Sequence, residues 1–107
     1  YALAEWVPGG TNEMAAEFVK NYSERYSTPL DNWAPVGYTM TYVMANAIKQ
    51  AGPNPTRESV RDALANTKDF PVIMGNGSYT IDPETRHVSY GAVIVKLDGP
   101  EFLPVKR

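Results

Sequence analysis

Apolar positions recur along the chain first at helical spacing and later at strand spacing. Residues 1–8 read Tyr-Ala-Leu-Ala-Glu-Trp-Val-Pro. This short apolar run stops at Pro8-Gly9-Gly10 and predicts a buried strand followed by a loop. Met14, Phe18, Tyr22 and Tyr26 then repeat every four residues, with Ala15 and Val19 beside them. That stripe predicts a helix of about four turns, with Thr11 or Asn12 as its cap and Glu13 and Glu17 suited to its positive end. Ser27-Thr28-Pro29 stops it.

After the connector Leu30-Asp31-Asn32-Trp33-Ala34, Pro35 suits the first turn of a second helix, where a missing N–H costs nothing. Tyr38, Tyr42, Ala45 and Ile48 form one apolar stripe there, and Val43, Ala47 and Ala51 another. A helix apolar on two sides predicts burial between layers. Gly52-Pro53 ends it. Thr56 caps a third, short helix with Glu58 in its first turn and a narrow face of Val60, Ala63 and Leu64, ending near Asn66-Thr67. From Phe70 onward the spacing changes. Val72, Ile73, Tyr79 and Thr80 favour strand, broken by Gly75-Asn76-Gly77, and Asp82-Pro83-Glu84-Thr85 is a turn. Residues 87–97 form the strongest strand pattern of the chain. Asp98-Gly99-Pro100 turns it back into Phe102, Leu103 and Val105, giving a hairpin. The predicted order is a strand, three helices and a strand-rich tail.

Composition narrows the function classes. The chain has 107 residues, 10 Lys+Arg, 12 Asp+Glu, one His and no Cys. The length fits one domain at most. Leu, Ile, Val and Phe make up only about a fifth of the chain, but the 12 aromatics and small net charge favour folding. Without Cys there is no disulfide framework, thiolate zinc site or cysteine nucleophile. The balance of −2 gives no electrostatic footprint for nucleic acid, and the basic residues are scattered except for Lys106-Arg107. The longest charge-free run, residues 32–48, contains Pro35, Gly37 and Asn46 and does not read as a membrane span. No basic segment precedes an apolar run at the start, so no signal peptide is read here.

Catalytic constellations are weak. Any Ser-His-Asp arrangement must use His87, with Ser78 or Ser89 as nucleophile, and no Gly-x-Ser-x-Gly elbow occurs. Asp82, Glu84 and His87 are ligand types that suit zinc or manganese, but their spacing is that of a turn. Gly75-x-Gly77 lacks the third Gly and following helix of a dinucleotide fingerprint. Glu58 and Asp62, four apart with Arg57 and Arg61 nearby, read as a solvated face. Catalytic residues, metal and cofactor are therefore all read as none. Two aromatics are candidates for ligand binding. Trp6 lies at a strand end, where α/β clefts form, although an aromatic packed under a loop is the commoner use. Tyr38 lies in the predicted first turn of the second helix and is a candidate to present its hydroxyl to a cleft, or to anchor the helix.

The succession of segments resembles a known family. An apolar strand with Pro8 leads to Phe18-x3-Tyr22-x3-Tyr26-x2-Pro29, then Trp33-x4-Tyr38 and Ala47-Ile48-Lys49-Gln50-Ala51-Gly52. Val60-Arg61-Asp62-Ala63-Leu64-Ala65, Phe70, Gly75-x-Gly77, Ile81-Asp82 and a hairpin at Asp98-Gly99 follow. Order and spacing together resemble the C-terminal part of type I periplasmic solute-binding proteins, in the branched-chain amino acid branch of ABC importers. The likeness covers nearly the whole chain. Thr39, Pro71 and Ile81 depart from the family's usual Asp, Gly and aromatic.

The resemblance implies an α/β fold. This would be a partial type I periplasmic-binding-protein fold, with a strand followed by three helices and a C-terminal β-hairpin region. Residues 1–107 would be a C-terminal fragment of a two-lobed protein, contributing to both lobes. Its ligand would be an amino acid or small organic acid, its partner an ABC permease, and its location periplasmic or extracellular. The same fold also serves as an extracellular ligand-binding receptor or regulatory domain, which is the alternative function. The family's ligand-holding residues lie mostly upstream, leaving Trp6 and Tyr38 as the candidates here. The isolated chain is expected to self-associate, through swapped elements, or to be marginally stable.

Overall fold

The structure is a computed structural model and describes residues 1–8 and 12–105. Gly9 and Gly10 of the expected loop and Thr11, one of two expected caps, lie outside the described residues. Strand β1 (Ala2–Ala4) comes first. It pairs antiparallel with a later strand only, so it is a sheet edge, and Leu3 is 74% exposed. The expectation of a buried strand therefore fails at these positions. Burial begins just beyond, at Trp6 and Val7.

Helix α1 (Glu13–Arg25) starts at Asn12, whose Oδ1 accepts the Ala15 N–H at 2.8 Å. Only Ala15 and Phe18 are buried. A four-residue repeat advances about 40° per step around a helix. The outer members of the stripe, Met14 and Tyr26, accordingly rotate off the covered face and are exposed.

Helix α2 (Trp33–Gln50) begins two residues before Pro35. The Asp31 carboxylate accepts the Trp33 and Ala34 N–H groups at 3.0 and 3.2 Å, which satisfies first-turn donors ahead of the proline. Its buried positions are Pro35, Thr39, Val43 and Ala47, a single line. Of the two expected stripes, the one with Val43 and Ala47 is buried, whereas Tyr42 and Ile48 of the other are exposed, so the helix is covered on one side only. Gly52 takes φ +92° after the last turn, as a helix-ending glycine should.

Helix α3 (Arg57–Ala65) carries a reciprocal cap. The Thr56 hydroxyl accepts the Ser59 N–H, and Ser59 Oγ accepts the Thr56 N–H. Val60, Ala63 and Leu64 are half-buried on its inner face.

The tail forms β2 (Phe70–Pro71), β3 (Ser78–Ile81), β4 (Val88–Ser89), β5 (Val93–Asp98) and β6 (Glu101–Pro104). They divide into two antiparallel sheets, ordered β2-β3-β4 and β1-β5-β6. Val72 and Ile73 are buried but not in a strand. The chain turns there, with the Val72 N–H donating to the Gly77 carbonyl and the Gly77 N–H to Met74.

Residues 87–97 are not one strand. They split at 90–92, where Gly91 takes φ +70° and the Tyr90 carbonyl accepts the Asn76 N–H. The two halves enter different sheets. The β5–β6 hairpin pairs Asp98 with Glu101, and Gly99 supplies the positive φ of the two-residue turn.

Two cores result. The larger holds Trp6, Phe18, Val43, Val72, Ile73 and Tyr79, among others. The smaller holds Val7, Val93 and Val95 and shares no residue with it. The molecule is correspondingly elongated, 50 × 32 × 19 Å.

Candidate functional site

Trp6 and Val7 are neighbours in sequence but belong to different cores. Trp6 therefore stands at the junction of the two cores. Its ring stands edge-on to Phe18, with centroids 6.3 Å apart and an interplanar angle of 83°. The residue is 4% exposed, and its indole Nε1 is buried without a hydrogen-bond partner. Such a group normally finds an acceptor when buried. A groove of about 670 Å³ opens beside it, lined by Leu3, Trp6, Val7, Asn32, Val95 and Phe102 among others.

Tyr38 lies in the second turn of α2 rather than the first, since the helix starts early. Its ring packs 4.7 Å from Phe18 and 4.7 Å from Tyr42. Phe18 thus stands between the two candidate aromatics. The Tyr38 hydroxyl is pushed up to about 12, chiefly by its interaction with the Tyr42 hydroxyl, then by burial and the nearby charges of Tyr42 and Glu17. Tyr79 and Tyr90, stacked 6.0 Å apart, are also raised, each mainly by burial.

These shifts predict alkaline sensitivity. A tyrosine whose folded value lies above its ordinary value of about 10 favours the native state below that pH, and the benefit is lost as pH climbs through the folded value. Stability should therefore fall between roughly pH 10 and 12. Phenolate absorbance should show a late-titrating step that Tyr38→Phe reduces, leaving the contribution of Tyr79 and Tyr90. A single step at the ordinary tyrosine value in the folded chain would contradict this.

The catalytic and metal candidates are committed elsewhere. The Asp82 Oδ1 accepts the Glu84 and Thr85 N–H groups at 2.9 and 2.8 Å. These donors, Thr85 first, hold its carboxyl below the usual range. Among the described residues, no group of three His, Cys, Asp or Glu is disposed to hold a metal ion. Ser78 Oγ donates to Asp69 at 3.3 Å, and no hydrogen bond joins His87 to Ser78 or Ser89 among the described residues. Arg61 holds Asp62 at 2.8 Å on an exposed face.

Sequence reasoning missed the second task of Asn12. While capping α1 it also donates Nδ2 to the Val72 carbonyl at 3.1 Å, tying the helix start to the turn before β3. Asn at a cap was legible, but its partner 60 positions away was not.

The family model for periplasmic binding protein matches residues 1–101. The chain belongs to the periplasmic binding protein family, which is defined by solute binding and is not an enzyme class. A crystal structure described as a branched-chain amino acid ABC transporter from Rhodospirillum rubrum is similar, with a TM-score of 0.85 at 31% identity. The match covers 96% of this chain and 29% of that one, so the chain spans less than a third of the neighbour's length. No curated protein matches the chain significantly. No helix among the described residues is long and apolar enough to cross a membrane.

Proposed function

We propose that residues 1–107 are part of an extracytoplasmic solute-binding protein that captures amino-acid-like or small organic acid ligands for an ABC importer. The family match over residues 1–101 carries this reading, together with 31% identity to a structure described as a branched-chain amino acid ABC transporter. In this reading the chain contributes to both lobes of a two-lobed protein. Its two separately cored sheets are compatible with that role.

Capture works by population shift. A ligand that touches both lobes binds the closed arrangement better and so favours it. The permease then recognises the closed form. Trp6, beside the groove at the junction of the two cores, and Tyr38, across Phe18 from it, are the candidate ligand contacts on this chain. The exposed apolar side chains of α2 and of the β1-β5-β6 sheet are surface that the remaining protein would cover. Self-association of the isolated chain belongs to the same reading.

Calorimetry with a panel of amino acids and small organic acids tests it. The protein carrying both lobes should bind one of them at about micromolar Kd. This chain alone should bind none tighter than about millimolar. Failure of the two-lobed protein to bind any member of the panel would overturn the ligand class. Micromolar binding by this chain alone would mean that the site is complete within it.

A further inference from the structure

Among the described residues, the chain leaves the β1-β5-β6 sheet at residue 5 and returns to it through residues 90–92. On the outward path Trp6 enters the larger core and Val7 the smaller. On the return path Tyr90 stacks against Tyr79 with the rings 6° from parallel, and Val93 enters the smaller core.

One turn touches both paths. The Gly75 N–H donates to the Glu5 carbonyl at 2.7 Å, and the Asn76 N–H donates to the Tyr90 carbonyl at 2.8 Å. The fit is close. Gly75 has φ +53°, and a Cβ there would lie 1.8 Å from the Tyr90 oxygen and 2.7 Å from the Gly91 oxygen. Both are backbone atoms, so relief requires the return path itself to move. On the facing side Gly91 has φ +70°, and a Cβ there would lie 2.9 Å from Asn76 Nδ2, a side-chain atom able to swing aside.

We propose that residues 74–77 form a clasp that sets the angle of the β1-β5-β6 sheet against the helical body, with Gly75 as its positioning residue. Each body has its own core, and although Met74 of the turn is buried in the larger one, the bonds to Glu5 and Tyr90 act on the bodies' mutual orientation. Backbone hydrogen bonds to two separate crossings hold both at one registration point, and releasing one frees the sheet to swing about the other. The link to ligand capture rests on the lobe-closure reading above, but the clasp is testable without a ligand.

The chain contains no native Cys, so two labels can be placed cleanly. Arg61→Cys on α3 and Lys96→Cys on β5 put one nitroxide on each body at exposed positions. The pair distance is then measured by double electron–electron resonance on the whole chain, diluted into excess unlabelled chain so that pairs between copies do not contribute. The doubly labelled parent should give one narrow distribution. Gly75→Ala should broaden it by about twofold or more while the helical circular dichroism is kept, as hinge release predicts. Gly91→Ala should broaden it less: both glycines carry positive-φ strain, but the atoms nearest a Cβ at Gly91 belong to the Asn76 side chain and not to backbone.

An unchanged distribution in folded Gly75→Ala would overturn the clasp. Loss of helical signal in that variant would overturn it as well, since folding of the helical body would then depend on the turn, unless the milder Gly91→Ala stays helical and broadens. If the two-lobed protein binds solute normally while the distribution is unchanged, the clasp falls and the functional reading stands. If the distribution broadens but no solute binds, the opposite holds.

Discussion

Phe18→Ala should cost about 3–5 kcal/mol of stability, the range for deleting a large aromatic from a packed core. Phe18 is 7% exposed and touches three other rings: Trp6 at 6.3 Å, Tyr22 at 6.0 Å and Tyr38 at 4.7 Å. Removing it leaves a void that those rigid rings cannot collapse into without leaving their rotamers. Small domains hold only about 5–15 kcal/mol in all, so the variant should lose from about a fifth of its stability to nearly all of it. Phe18→Leu, which keeps most of the volume, should cost less than about 1.5 kcal/mol. Urea unfolding followed by tryptophan fluorescence measures both. A loss under about 1 kcal/mol for Phe18→Ala would mean that the aromatic cluster is far looser than its geometry.

Val95→Asp should unfasten the smaller sheet while leaving the helices in place. Val95 is 2% exposed, at the centre of the β1-β5-β6 sheet, where it pairs with Ala2 on one side and Pro104 on the other. The smaller core offers no cation to receive a carboxylate, and burying an unpaired charge costs several kcal/mol. Amide hydrogens of β5 should exchange near the unprotected rate at pH 7, while those of α1 and α2 keep most of their protection. Burial would raise the introduced carboxyl above its ordinary value, so the folded sheet would prefer it protonated. Stability should return as pH falls through that raised value and level off below roughly pH 4. Uniform loss of protection across helices and sheet would show one cooperative unit instead of two bodies.

Much of the helical half was legible because its signals are local. Asn12, Thr56 and Gly52 mark ends by chemistry within a few residues. The β5–β6 hairpin was equally local, since Asp98-Gly99-Pro100 dictates its own geometry. Two errors in the tail share one cause. An apolar run at strand spacing does not say whether its pairing partner changes midway. Residues 87–97 therefore looked continuous, although Gly91 redirects them from one sheet to another. Val72 and Ile73 looked like strand because both are β-branched, but the Val72 N–H closes a turn onto the Gly77 carbonyl, and the bond across to Glu5 comes from Gly75.

The site was less legible than the fold. Trp6 and Tyr38 could be singled out as aromatics near element ends. That both would pack on the same phenylalanine depends on how α1 crosses α2, which no local pattern carries. The turn at Gly75 was read only as a place where positive φ is needed. Its closeness to Tyr90 is a tertiary contact and leaves no trace in spacing.

The pairing of β1 with β5 also sets an order of events during synthesis. Ala2 finds its partner at Val95, some 90 residues later. At about 5–20 residues per second, the Ala-Leu-Ala edge would wait for roughly 5–20 s without its neighbour, while the helices, whose contacts are short-range, can already form. For that interval the nascent chain carries an open strand template. Its three-residue length and the small alanine side chains on either side of Leu3 keep that template a poor one for stray partners.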